Sequence, residues 1–247
     1  MGGLVSSYYL AQGVDQRNKV DKHISIGTPY LGAAKMVDVF YNGNAVAGSL
    51  EQLFTSGCIK DIIGNLQSIY GLLPYEKYFS PYLILFSEVQ NSYGDTINFL
   101  NSLPGWNDDL YTSVVSNQNN LFINDRHISS YVDSYYIVGS WHSTIDRIKV
   151  YFDSNFELEI GTFKTEYGDE TVTLYSATIA GTLDPNRVFY MYDNNDLNLE
   201  ATHTKMIEST PSLNFITAII DESVSTTTDE SYLSLEYGVY KTNRIKE

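Results

Sequence analysis

Gly2-Gly3-Leu4-Val5-Ser6-Ser7-Tyr8-Tyr9-Leu10-Ala11, closed by Gly13, is followed in the chain by Lys22-His23-Ile24-Ser25-Ile26-Gly27-Thr28-Pro29. The first stretch suits a helix. Gly2, Gly3, Ser6 and Ser7 allow close approach to a sheet, Leu4, Val5, Tyr8, Leu10 and Ala11 bury one side, and Gly13 supplies a C-terminal stop. The second is a short apolar strand ending in a Gly-Thr-Pro loop, with Gly32-Ala33-Ala34-Lys35 beyond it. A helix followed by a strand is the grammar of an α/β fold. Ligands of such sheets bind beyond the carboxyl ends of the strands, which places the loop from Gly27 to Lys35 where chemistry would occur. The alternative is a tight turn that simply needs Gly and Pro.

At 247 residues and 43% hydrophobic, the chain can bury one large core or two small ones. No window of about 18 apolar residues exists, so no transmembrane segment is expected. The N-terminus has neither the basic n-region nor the apolar run of a signal peptide. A formal charge of −15 argues against nucleic acid or an anionic membrane as partner and leaves neutral or zwitterionic ligands open. The single cysteine, Cys58, cannot form an internal disulfide, and no Cys/His spacing resembles a zinc site; no metal or cofactor is expected. Asp193-Asn194-Asn195-Asp196 lacks the glycine and terminal glutamate of an EF-hand loop and reads as a turn.

From about residue 37 to 126 strand signals fade. Helical patches at Ser49 to Phe54, Ile59 to Tyr70 and Asp95 to Leu100 alternate with aromatic loops, as in an insertion over a sheet. Its aromatics (Tyr78, Phe79, Tyr82, Phe86, Trp106) suit either core or a lid that receives lipid, with transient contact to a lipid surface. Strands resume at Ser134 to Ser140, then in a hairpin around Ser154-Asn155, then at Arg187 to Tyr192. Gly168-Asp169-Glu170-Thr171-Val172 puts a carboxylate in a loop between hairpin and helix, and Ala201-Thr202-His203-Thr204 puts a histidine in a loop before a helix. The order is acid, then base. Asp193 and Asp196 are rival acids. His23, His127 and His142 read as structural or solvated. Residues 221–247 read as a tail, in which the alternation of Leu233, Leu235 and Tyr237 suggests a strand of something further.

Met1-Gly2-Gly3 matches the end of the nucleophile elbow G-x-S-x-G, in which a serine sits on a strained strand-to-helix turn; an ordinary start followed by two glycines is the other reading. With the segments downstream, the sequence resembles the lecithin:cholesterol acyltransferase family of α/β-hydrolases, whose elbow reads G-H-S-M-G-G. Gly27-Thr28-Pro29 with Gly32, Ala34 and Lys35 is similar to the family's G-[TA]-P-x-x-G-x-x-K. Leu72-Leu73-Pro74 is similar to its L-L-P, and Gly168 to Val172 to its G-D-G-T-V-P.

The resemblance implies residues 1–220 as the C-terminal part of an α/β-hydrolase domain: a partial sheet with a mainly helical, lid-like insertion. It implies a Ser-Asp-His triad with Asp169 as acid, His203 as base, Met1 as oxyanion-hole donor and the serine just before Met1. Thr28, Pro29, Tyr30, Leu72 and Leu73 would contact substrate. Glu170 stands where the family has glycine and Thr173 where it has proline, so the acid loop is expected to differ in shape.

The implied activity is acyl transfer from a lipid ester to an alcohol or water. A lipid-binding pseudoenzyme and a noncatalytic surface protein are the alternatives. The strand at Ile24 is expected to present a bare apolar edge, with poor solubility.

Overall fold

A computed structural model describes residues 1–43, 56–78, 83–85, 92–179, 181–194, 197, 199–225 and 227–241. The expected patch at Ser49 to Phe54, together with Phe79, Tyr82, Phe86, Asn195, Asp196 and the side chain of Cys58, lies outside the described residues.

Along the chain the elements are α1 (Gly2–Ala11), α2 (Val14–Arg17), β1 (Lys22–Ile26), α3 (Lys35–Asn42), α4 (Ser56–Gly64), α5 (Gln67–Tyr70) and β2 (Leu83–Leu85). They continue as α6 (Tyr93–Asn101), α7 (Asp108–Asn119), β3 (Phe122–Ile123), β4 (Arg126–His127), β5 (Asp133–Gly139), β6 (Thr144–Phe152) and β7 (Leu158–Thr165). Last come α8 (Leu174–Ala177), β8 (Val188–Met191), α9 (Thr210–Ile220), α10 (Glu230–Tyr237) and β9 (Val239–Tyr240). The mixture of strands and helices is that of a partial α/β fold. Among the described residues no helix is long and apolar enough to cross a membrane.

The chain divides into two compact units. One comprises Met1–Tyr30, Asn120–Thr144 and the chain from Thr165 on. It carries a four-stranded sheet in the order β1-β5-β8-β9. β1, β5 and β8 are parallel, with Ile24 opposite Tyr135 and Ile137 opposite Phe189; β9 is antiparallel, Val239 facing Met191. From Ser134 onward every residue of β5 is buried, as a parallel strand covered on both faces requires. β1 is an end strand, with β5 as its strand neighbour among the described residues.

The core of this unit joins Ile137, Phe189 and Met191 of the sheet to Phe215 and Ile219 of α9, with the Phe189 and Phe215 rings 5.1 Å apart in an edge-on contact. α9 starts where Ser209 caps it by accepting from Ser212 N, with Pro211 in the first turn, where its missing N–H costs nothing.

The tail departs from the strand expected there. Residues 230–237 form α10, because Leu233 and Tyr237 share a helix face at i, i+4 spacing. Both are buried in the core, and the chain then turns at Gly238, φ +65°, into β9. This segment adds a strand to the sheet and side chains to its core.

The second unit is Leu31–Asn119 with Ile145–Lys164, broader at its start than the 37–126 insertion and including the hairpin. Its sheet runs β2-β6-β7, and the hairpin turn is tied by Asp153 Oδ1, which accepts from Asn155 N and Glu157 N, both at 2.8 Å. Phe40, Tyr70 and Trp106 pack edge-on with centroids 5.2–5.7 Å apart. Tyr70 donates to Gly64 O and accepts from Asn107 N. These aromatics form packing contacts within the unit. Leu72 and Leu73 lie against the Leu31–Ala33 loop: Ala33 N donates to Leu72 O, and a Cβ at Gly32, φ +88°, would strike the Leu73 carbonyl.

Candidate functional site

Asp169 lies in the turn between β7 and α8. His142 N donates to Gly168 O and Asp169 N to Val172 O, while Thr144 Oγ1 accepts from Glu170 N. Thr173 caps α8 by accepting from Ser176 N. The carboxylate is buried at 2% exposure. Its Oδ1 accepts from Val172 N at 2.7 Å and Thr171 N at 3.1 Å. Its Oδ2 lies 2.8 Å from His203 Nδ1.

His203 is positioned from the opposite side. Its backbone N donates to Asp169 O at 2.8 Å, and Met206 N closes the following turn onto Thr202 O. With the carboxylate accepting at Nδ1, the neutral imidazole carries its proton there and keeps a lone pair on Nε2. Nε2 has no hydrogen-bond partner among the described residues.

Two strand-end glycines make room for the pair. A Cβ on Gly27 would fall 2.9 Å from Asp169 Oδ2 and 3.1 Å from His203 Nδ1. On Gly139 it would collide with the Ala201 carbonyl and lie 2.8 Å from Asp169 Cβ. Gly27 follows β1 and Gly139 ends β5, so the pair sits at the carboxyl ends of parallel strands. Gly139 was passed over in the sequence; a glycine closing a buried strand is the signal that could have found it.

The rival acid Asp193 is engaged elsewhere: its Oδ1 accepts from Ala201 N at 2.8 Å and lies 3.1 Å from His142 Nε2. Asp196 lies outside the described residues. Glu170, at the motif's glycine position, adopts φ +76°, a left-handed conformation unfavourable to a residue with a Cβ.

His203 lines a cavity of about 600 Å³ with Met1, Gly2, Gly3, Ser6, His23, Gly27 and Thr28. Of the residues expected to contact substrate, Thr28 lines this cavity. Pro29 and Tyr30 are buried, with the Tyr30 ring 4.6 Å from that of His127, and Leu72 and Leu73 belong to the second unit. Met1 caps α1, its carbonyl accepting from Leu4 N and Val5 N. Among the described residues no group of three or more His, Cys, Asp or Glu is placed to hold a metal ion.

No curated protein matches the chain. A family model does: "Lecithin:cholesterol acyltransferase", over residues 1–158. The match spans α1, the Gly-Thr-Pro loop, Leu72-Leu73-Pro74 and the hairpin's first strand and turn, and ends before Asp169 and His203. Covering more than half of the sequence, it shows that the chain belongs to the lecithin:cholesterol acyltransferase family.

Proposed function

We propose that the chain carries the acid and base of a serine-type acyl-transfer site, in a sheet of the α/β-hydrolase kind, acting on lipid esters. The observation that carries this reading is the 2.8 Å contact between His203 Nδ1 and Asp169 Oδ2 beside an unpartnered Nε2. A serine hydroxyl is a poor nucleophile until an imidazole accepts its proton, and a carboxylate on the far nitrogen fixes the tautomer and stabilises the charged ring.

In this reading the serine stands on the turn that leads into α1. Its Oγ bonds to the ester carbonyl carbon as its proton passes to His203 Nε2. The C–O bond then breaks and the departing alcohol takes that proton. Water or an acceptor hydroxyl repeats the cycle in reverse and releases the acyl group. The N–H at Met1 is one donor to the oxyanion, a contact of a kind worth about 3 kcal/mol. Thr28, at the cavity wall, contacts the substrate. Apolar substrate rather than polyanion fits the −15 charge.

The test has two parts. The coding sequence read in frame upstream of the Met1 codon is expected to give Gly-x-Ser, and the polypeptide bearing it to cleave short and long acyl esters. His203→Ala is then expected to lower the rate about 10⁶-fold, leaving roughly 10³–10⁴-fold over the uncatalysed reaction. A residue other than serine at that position, with retained binding of phospholipid vesicles, would overturn the enzyme reading in favour of a lipid-binding protein.

A further inference from the structure

The cavity that His203 lines holds a second imidazole beside a hydroxyl. Ser6, on the second turn of α1, has its Oγ 2.8 Å from His23 Nε2, and both residues line the cavity. His23 itself is buried. Its other nitrogen, Nδ1, lies 3.3 Å from Ser134 Oγ, and that hydroxyl donates to Ser129 O at 2.6 Å.

The chain of contacts fixes the proton on one side. Ser134 spends its only hydrogen on the Ser129 carbonyl, so toward His23 its oxygen can only accept. The Nδ1 of His23 is then the protonated nitrogen, and Nε2 presents a lone pair to Ser6. Burial pushes the His23 pKa below its ordinary value, which favours the neutral ring with its Nε2 lone pair directed to Ser6. The Ser6 hydroxyl can point to Nε2 or to Gly3 O, 2.9 Å away, so no other donor need be displaced for it to engage the base. Ser6 is half-buried, whereas its neighbour Ser7 is fully buried and turned to Gly3 O. Gly2 and Gly3, in the first turn of α1 where helical N–H groups have no partner within the helix, line the same cavity.

We infer that Ser6 and His23 form a hydroxyl–base pair of their own, independent of Asp169 and His203, and that Ser6 Oγ is a covalent acceptor for acyl or phosphonyl electrophiles that enter the cavity. With an ester, Oγ bonds to the carbonyl carbon and its proton passes to His23 Nε2. The ester C–O bond breaks and the released alcohol carries the proton away, leaving acyl-Ser6. With a fluorophosphonate, the Oγ–P bond forms, the P–F bond breaks, and fluoride and the proton leave.

The test is incubation of the protein with an alkyl fluorophosphonate, followed by tryptic digestion and mass mapping of the Met1–Arg17 peptide, fragmented to separate Ser6 from Ser7. Because the adduct is read residue by residue, the result stands apart from any turnover that depends on His203. Within residues 1–17 the expected outcome is a single adduct, on Ser6, whether or not a serine preceding this segment is labelled as well. Ser134→Ala, which removes the acceptor at Nδ1 and leaves Ser6 and His23 in place, is expected to slow labelling at least fivefold in protein whose circular dichroism is unchanged. His23→Gln is expected to slow it further. An unlabelled Ser6, an adduct on Ser7 instead, or labelling of Ser6 at the same rate in folded Ser134→Ala and His23→Gln proteins would each overturn the assignment.

Discussion

His203 Nδ1 and Asp169 Oδ2 are 2.8 Å apart, and the same carboxylate holds its own loop together through Thr171 N and Val172 N. One group thus sets both the imidazole tautomer and the turn that carries it. Asp169→Ala should cost about 1–3 kcal/mol, since it leaves backbone donors without their acceptor. Asp169→Asn separates the two roles: its carbonyl oxygen can keep the turn, while its NH₂ facing Nδ1 forces the ring proton to Nε2. Imidazole ¹⁵N NMR should show Nδ1–H in the parent and Nε2–H in the variant, at nearly equal denaturation midpoints. An unchanged tautomer would show that the carboxylate does not control it.

The Gly27 backbone passes beside this pair. It adopts φ +55°, a conformation glycine reaches at little cost, and a Cβ there would enter the space of Asp169 Oδ2, His203 Nδ1 and the Met206 methyl. Gly27→Ala therefore combines backbone strain with a clash against a buried carboxylate. A loss of about 1–3 kcal/mol is expected, read by urea denaturation, with the Nδ1–H resonance shifted or lost. Full stability with an unperturbed resonance would mean the loop can move aside freely.

Much of this was legible in local sequence. The helix from Gly2 to Ala11 and the strand from Lys22 to Ile26 followed from periodicity and turn residues, which depend on neighbours a few positions away. What escaped depends on partners distant in the chain. Leu233 and Tyr237 fit either a strand face or a helix face until Phe215, more than fifteen residues earlier, supplies the surface they cover. His23 looked like an ordinary strand residue because Ser6 and Ser134, which engage both of its nitrogens, lie on other elements. That Asp193 bonds to Ala201 N and lies beside His142 likewise depends on residues outside its local sequence.

Glu170 stands at φ +76°, and its side chain is largely exposed. Since the strain is paid by the backbone, Glu170→Gly should raise stability by about 1 kcal/mol, the left-handed penalty less the extra entropy of an unfolded glycine. The contact of its backbone N with Thr144 Oγ1 is unaffected by the change. A denaturation midpoint that falls instead would indicate that the Glu170 side chain, 4.0 Å from His142 Nδ1, holds the loop.

His127 predicts an acid limit to stability. Ser129 N donates to its Nδ1, and burial, with a smaller contribution from His23, lowers its pKa to about 3. Unfolded, it titrates near its ordinary value of about 6.5. Between those two values the unfolded chain binds more protons, so stability falls as pH drops through that window. By about pH 4.5 the loss from this residue is roughly 3 kcal/mol. His127→Gln should shrink the difference in unfolding free energy between about pH 7 and pH 4.5 by a similar amount; an unchanged difference would assign the acid sensitivity to carboxylates.

The C-terminal segment provides the sharpest test of the fold. Leu233 is fully buried against the sheet and α9, and Phe215 and Tyr237 meet with ring centroids 5.4 Å apart. β9 pairs through Val239 and Tyr240 with the far edge of β8. Were residues 221–241 a solvated tail, truncating one leucine there would change stability by a few tenths of a kcal/mol. Packed as they are, Leu233→Ala should leave a cavity and cost about 2–5 kcal/mol, and removing the chain from Glu230 onward should expose the edge of β8 and promote association through it. Denaturation of the point variant and light scattering of the shortened chain measure these two effects separately. A point variant as stable as the parent would detach α10 and β9 from the core.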